Sequence, residues 1–172
     1  NRFFRDMVKE GIEVYPFGEV KFAALTRRVN YRNHRKLVIV DGQLGYIGGM
    51  NIAERYYKGF SWGGWRDTHI RIEGMAVNAL QTSFFVDWHY ASRMLVDEPV
   101  YFPKVERKGD TDMQIVTSYP MGEWKTIMQG LLQVISQSRR YLYIQTPYFM
   151  PTEPILMALR NAALAGVDVR IM

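Results

Sequence analysis

One short stretch limits the folds open to this chain more than any other. It is the unbroken apolar run Leu37-Val38-Ile39-Val40, then Asp41-Gly42, then a second apolar stretch, Leu44–Ile47. A run with no polar interruption is the pattern of a strand covered on both faces. Asp-Gly is a strong tight-turn signal. The segment is therefore expected to form two strands, Lys36–Val40 and Leu44–Ile47, with Gly48-Gly49 breaking the second. A chain organised around this pair cannot be a helical bundle.

The flanking segments predict what packs on it. Residues 2–10 have helical spacing, with Phe3, Phe4, Met7 and Val8 on one face. Gly11 stops that helix, and Ile12–Phe17 reads as a strand. Residues 18–33 show no period and are expected as a long loop. Residues 56–65 (YYKGFSWGGW) hold five aromatics and three glycines, the composition of an irregular loop. Thr68–Ile72 alternates like a strand. Met75–Leu95 is expected as a helix with Leu80, Phe84, Trp88 and Ala91 a turn apart. Residues 97–110 hold two prolines and a Lys-Gly pair, and make the best linker.

Beyond it, Met113–Ser118 reads as a strand. The stripe Trp124, Ile127, Met128, Leu131, Leu132 and Ile135 predicts a core-facing helix over 123–138. Tyr141–Thr146 is an aromatic and β-branched strand. Pro154 suits the first turn of the next helix, which carries Ile155, Leu156, Leu159, Ala162 and Ala163 and ends at Gly166. Val167–Met172 is a final strand. Strands alternating with helices predict an α/β sandwich with a mixed sheet. The last strand is apolar and uncapped, which predicts a piece of a longer protein. The helix–Gly–strand order of 155–172 also resembles that of 2–17, a hint of internal duplication.

Charge narrows the chemistry. Lys and Arg number 22 against 17 Asp and Glu, a net of +5. Lys21, Arg27, Arg28, Arg32, Arg35 and Lys36 fall together with no acid between them, so the excess is confined to one stretch. A solvated loop would account for a basic run by itself. This one leads straight into a chemical motif, which favours an anion site. The absence of cysteine excludes a disulfide scaffold, a thiolate metal site and a cysteine nucleophile. No run approaches the length of a membrane helix, and no signal peptide opens the chain.

The motif is NHRKLVIVDGQLGYIGGMN, or H-x-K-x4-D-x6-G-G-x-N, with His34, Lys36, Asp41, Gly48, Gly49 and Asn51. Average residue usage gives such a match about once in 10⁸ start points. His34 and Lys36, two apart on a strand, share a face. Imidazole can act as nucleophile or as acid and base near neutrality. An ammonium beside it can hold a phosphoryl group and neutralise charge that develops in the transition state. Asn51 offers an amide donor to the same oxygens. Gly48-Gly49 lets the backbone approach closely, which makes both glycines candidates for phosphate binding. Asp41, five residues from Lys36, is on the other face. It is a site candidate by the motif, yet with Gly42 it better suits ordering the turn. No carboxylate or second histidine stands at ligand spacing from His34, so no metal is expected, and the chemistry asks for no cofactor.

The motif resembles the HKD signature of the phospholipase D superfamily. GGMNIAERYY, WRDTHIRIEG and YIQTPYFMPTEPILMALRNAALAGVDVRIM are similar to the cardiolipin synthase branch in particular. SYP at 118–120 departs from the Ser-Gly-Pro common there. The resemblance implies a phospholipase D-like α-β-α sandwich with a mixed sheet, made of two similar repeats that each give one motif to a shared site. It divides this chain into the end of a first repeat (1–96), a linker (97–110) and the start of a second (111–172). It implies a phosphohistidine route that joins two phosphatidylglycerol molecules and releases glycerol, with His34 as the first-motif histidine and Lys36 and Asn51 on the phosphate. Asp67, in WRDT, falls where relatives place the carboxylate that orients the ring. A carboxylate on one imidazole N–H would fix the tautomer. The alternative for Asp67 is a surface charge paired with Arg66 or Arg71, and Glu54 is a weaker candidate for the same role.

A second H-x-K is missing, since His69 and His89 have no lysine two residues on and suit structural roles. The segment is thus expected to hold half a catalytic site and to be inactive alone. The second half would come in cis or from a dimer mate. Relatives are held at the bacterial inner membrane, so the expected partners are an anionic phospholipid and a membrane surface, with the segment itself soluble. Loop 56–65 could meet that lipid surface or pack between repeats. Two other functions fit less well. One is a phospholipase D, phosphodiesterase or nuclease of the same superfamily, with the basic segment tracking phosphates, although nucleic acid is not the expected partner. The other is a non-catalytic phosphate- or lipid-binding module.

Overall fold

The computed structural model describes residues 2–18, 33–119 and 122–172. Residues 19–32 of the basic approach, and Pro120 of the SYP turn, lie outside the described residues. Contacts divide the chain into two compact units, Asn1–Ile115 and Val116–Met172. Between them the units carry antiparallel and parallel strand pairing, and the class is mixed α/β.

In the first unit, strands β1 (Leu37–Val40), β2 (Leu44–Gly48) and β3 (His69–Glu73) form an antiparallel sheet in that order. Leu37 pairs with Ile47, Val40 with Leu44, and Gly48 with His69. Asp41 (φ 53°) and Gly42 (φ 64°) both adopt positive φ, and the Gln43 N–H donates to the Val40 carbonyl at 3.0 Å. Positive φ at both central residues is the requirement of a type I′ hairpin turn, met here by Asp-Gly. Glycine is also required at 42 because a Cβ there would stand 2.7 Å from Pro103 Cδ.

Helix α3 (Ala76–Ser92) covers one face of this sheet. Its Val77 and Leu80, wholly buried, pack with Ile72, Leu37, Ile39 and Ile47. Each such side chain contributes about 1.5–3 kcal/mol by leaving water. The expected stripe was a little displaced. Val77, Leu80 and Ser83 are the buried line, whereas Phe84 is exposed and stacks on Trp88 instead. The expectation that β1 is covered on both faces also fails. Leu37 and Ile39 turn to α3, but Val38 and Val40 are 46% and 43% exposed on the opposite face. Residues 97–110 run back along this unit through a single 3-10 turn, Pro99–Tyr101. There Gln81 Nε2 donates to the Tyr101 carbonyl at 2.6 Å, and Phe85 meets Tyr101 edge-on and Phe102 at a tilt.

Helix α1 (Arg2–Lys9) ends as its sequence predicts. Gly11 (φ 82°) lets its own N–H reach the Val8 carbonyl and the Ile12 N–H reach that of Met7. This is a Schellman motif. Phe3, Phe4 and Val8 are exposed rather than a covered face, and 12–16 is not a strand. Tyr15 and Phe17 pack on Trp88 and Tyr90 of α3, so ring contacts replace strand pairing.

In the second unit, β4 (Tyr141–Ile144) and β5 (Asp168–Ile171) pair in parallel across α5 (Glu153–Leu164), a strand–helix–strand crossover. Helix α4 (Thr126–Gln137) packs on α5, and Ile135, Leu159, Ala162 and Val167 form the core. Of the broad stripe expected on α4, Met128, Leu132 and Ile135 turn inward, while Trp124, Ile127 and Leu131 are exposed. Gly166 (φ 89°) repeats the Schellman ending of Gly11. The two helix ends therefore match, although only the second runs into a strand. Residues 113–118 also lack the expected strand structure.

Candidate active site

The H-x-K pair precedes β1 rather than lying within it, since residues 33–36 have no regular structure. Alternation still governs the segment. Asn33 Nδ2 donates to Asp87 Oδ2 of α3 at 2.9 Å, and Arg35 Nη1 meets both oxygens of the same carboxylate at 2.5 Å. These odd-numbered residues share the parity of Leu37 and Ile39, which face α3. His34 and Lys36 share the parity of Val38 and Val40, on the face turned away from it. Asn33 Oδ1 also accepts the Arg35 N–H at 2.9 Å, closing a small turn over His34. Lys36 Nζ donates to the His34 carbonyl at 2.6 Å, so the ammonium is held beside the histidine.

The β1–β2 register ends with Leu37 opposite Ile47, and the next residue of β2, Gly48, pairs with His69. Here the two glycines show their use. A Cβ on Gly48 would collide with the Thr68 carbonyl and stand 2.6 Å from both Cα and Nδ1 of His69. A Cβ on Gly49 would collide with Asp67 Oδ1. The close approach they permit in this structure is that of the chain leading into β3, with the Asp67 carboxylate laid over Gly49.

Asp67 Oδ1 accepts the Thr68 N–H at 2.8 Å and Oδ2 accepts Trp65 Nε1 at 3.3 Å. The alternative pairing with Arg71 does not occur, because Arg71 binds Glu73 at 2.7 Å. Among the described residues, no hydrogen bond joins Asp67 to His34. Asn51 Nδ2 donates to the Tyr56 hydroxyl at 2.8 Å. That bond, followed by the neighbouring Arg55, holds the Tyr56 phenol below the usual tyrosine range. The Tyr56 ring meets Trp65 edge-on at 5.2 Å, and Phe60 packs against both Trp62 and Trp65. Asn51 and Asp67 are thereby tied to two neighbouring rings, Tyr56 and Trp65, of one aromatic cluster in the 56–65 loop. Tyr57 and Trp62 on its outside are 90% and 78% exposed.

The other candidates are elsewhere. Asp41 occupies the hairpin turn, at the far end of β1 from Lys36 and about 17 Å away at the usual strand rise. Glu54 begins helix α2 (Glu54–Lys58) and pairs with Lys58 at 3.1 Å. Among the described residues, His69 Nδ1 is buried without a hydrogen-bond partner, and His89 Nδ1 contacts the Met94 carbonyl at 3.1 Å. Sequence reasoning missed Asp87, Tyr56 and Trp65. Asp87 carried a signal: it is seven residues after Leu80, so a helix places an acid on its core-facing line. Tyr56 and Trp65 carried none, being two of several aromatics in one loop.

No family model matches the chain. Curated relatives do. The cardiolipin synthase of Listeria welshimeri is 48% identical over 174 residues, which covers 99% of this chain and 36% of the relative. The major cardiolipin synthase ClsA of Bacillus subtilis is 47% identical over 174 residues, with the same shares. The cardiolipin synthase of Geobacillus thermodenitrificans is 38% identical over 175 residues, covering 100% of this chain and 35% of the relative. The chain thus spans about a third of the length of the curated relatives it matches. Along practically its whole length, it is a homologue of bacterial cardiolipin synthases of the phospholipase D superfamily.

Proposed function

We propose that this chain carries one half of the active site of a phosphatidyltransferase of the cardiolipin synthase type. The observation that carries the proposal is the arrangement of 33–36. Asn33 and Arg35 are bound to Asp87, and the Lys36 ammonium donates to the His34 carbonyl; on that basis we assign His34 and Lys36 to the other face by the parity of the segment. A histidine beside a fixed cation suits attack on, or proton transfer at, a phosphodiester.

The substrate is an anionic phospholipid, phosphatidylglycerol. One histidine nitrogen attacks the phosphorus, and an N–P bond forms as the bond to the glycerol oxygen breaks. A second histidine gives the departing glycerol its proton. That histidine then takes the proton of an incoming phosphatidylglycerol hydroxyl, whose oxygen displaces the first histidine and yields cardiolipin. His34 supplies one of these two groups, and a second motif, in cis or on a dimer mate, supplies the other. Lys36 and Asn51 hold the phosphate oxygens, with the backbone at Gly48-Gly49 close by. Asp67 is the orienting carboxylate of the histidine ring, a role its oxygens can take with lone pairs that Trp65 and Thr68 leave unused. Asp41 serves the hairpin turn. The exposed Tyr57 and Trp62 support a site that works against a bacterial membrane surface, where such amphipathic rings are favoured. No described helix is long and apolar enough to cross a membrane.

The test is acid-sensitive phosphohistidine on the full-length protein quenched during turnover of phosphatidylglycerol. Phosphate linked to histidine supports the route; full turnover with no such linkage overturns it. Water as the acceptor would give phosphatidic acid and mark a hydrolase. Glycerol release by the 172-residue chain as a monomer would overturn the half-site assignment.

A further inference from the structure

We propose that Asp87 is a positioning residue for the His34–Lys36 pair. The proposal rests on the transferase reading above and adds to it a residue outside the motif, on the opposite side of the sheet.

Asp87 is seven residues after Leu80, so a helix puts both on the line that meets the sheet. Leu80 meets the sheet at Gly45, where an added Cβ would stand 2.7 Å from its Cδ1. Two turns later the helix has passed the ends of the strands, and at that level it presents a carboxylate. Its side chain is 13% exposed and that of Arg35 is 23% exposed, so the pair is largely withdrawn from water. The same carboxylate takes Asn33 Nδ2, one residue on the other side of His34. His34 is therefore flanked by two residues fixed to a single acid. Because residues 33–36 have no strand partner among the described residues, alternation there is not enforced by a described ladder. Asp87 enforces it from below. It holds the odd residues against α3 and leaves the even ones, His34 and Lys36, on the opposite face. A charged pair with two bonds at one nitrogen resists rotation better than a single neutral bond.

Such a residue acts on rate more than on substrate affinity. Misplacing a reacting group by about 1 Å can cost up to about 100-fold in rate. In the full-length protein, Asp87→Ala is expected to lower kcat by about 10- to 100-fold with KM within about twofold. Asn33→Ala removes one of the contacts and is expected to give a smaller loss of kcat, again at constant KM. The exchange Arg35→Asp with Asp87→Arg restores the opposite charges and is expected to recover most of the rate lost by either single change. Thermal unfolding of each variant separates this effect from loss of fold. Wild-type kcat in folded Asp87→Ala overturns the proposal, as does a loss in kcat that the charge exchange fails to recover. If His34→Ala also retains full activity, the transferase reading itself falls. If His34→Ala is inactive while Asp87→Ala is normal, only the positioning role falls.

Discussion

Replacing Gly48 with alanine tests whether the glycine pair is there to let the approach to β3 close on the motif. The new Cβ would stand 2.6 Å from His69 Cα, with the Thr68 carbonyl closer still. Comfortable carbon–carbon separation is about 3.5–4.0 Å, so β3 must retreat by about 1 Å. The atoms met include backbone, so a rotamer change cannot relieve the clash. The Gly49 N–H donates to the Thr68 carbonyl at 3.2 Å, and that retreat carries the bond beyond useful reach. Overpacking of this kind costs about 1–3 kcal/mol and the lost bond about 0.5–1.5. The sum, about 1.5–4.5 kcal/mol, is a fall of about 10- to 2000-fold in the protection of β2 and β3 amides against hydrogen exchange. Gly130→Ala is the control. It lies inside α4 with nothing within 4 Å of the new Cβ, and alanine there should stabilise the second unit by about 0.5–1 kcal/mol. Unchanged protection of 44–48 and 69–73 in Gly48→Ala would refute the close-approach argument.

Two further outcomes can be measured on this chain. Asn51→Ala removes the bond that most lowers the Tyr56 phenol, so ultraviolet titration should show that group ionising at higher pH than in wild type; no displacement would remove the Asn51–Tyr56 link. Asp168 is held below its ordinary range first by Arg170 and then by the Tyr143 hydroxyl. A depressed carboxyl contributes stability that is present above its unfolded value of 3.8 and is lost as pH falls through its lower folded value. Hydrogen-exchange protection of β4 and β5 should therefore weaken on acidification below about pH 4. In Asp168→Asn that part of the acid dependence should vanish, and its persistence would assign it to another group.

What could be read in the sequence was local. Asp41-Gly42 set the hairpin because a type I′ turn needs two residues tolerant of positive φ, and Gly11 and Gly166 marked helix ends for a related reason. His34 and Lys36 were expected on one face of a strand, but they precede β1 in a segment without regular structure. What could not be read depended on partners distant in sequence. Ile12–Phe17 and Met113–Ser118 have strand-like composition, but a strand exists only when a neighbour pairs with it. In the first of these, Tyr15 and Phe17 found rings on α3 instead. Val38 and Val40 looked buried because hydropathy records a preference and not a neighbour. The place of Asp87 on the core-facing line of α3 was legible, but its partner Arg35, 52 residues away in sequence, was not. In the sequence the basic approach favoured an anion site. Of its cations, the described residues include Arg35, which is bound to Asp87, and Lys36, which is held at His34.

The measurement that bears most directly on the central claim is cardiolipin and glycerol formation by full-length His34→Ala, made beside wild type from phosphatidylglycerol vesicles. The predicted result is a folded protein that forms neither product, losing at least about 1000-fold in rate, as expected when a covalent or proton-transferring group is removed. Cardiolipin formed at the wild-type rate by that variant would contradict the assignment of His34 to the reaction.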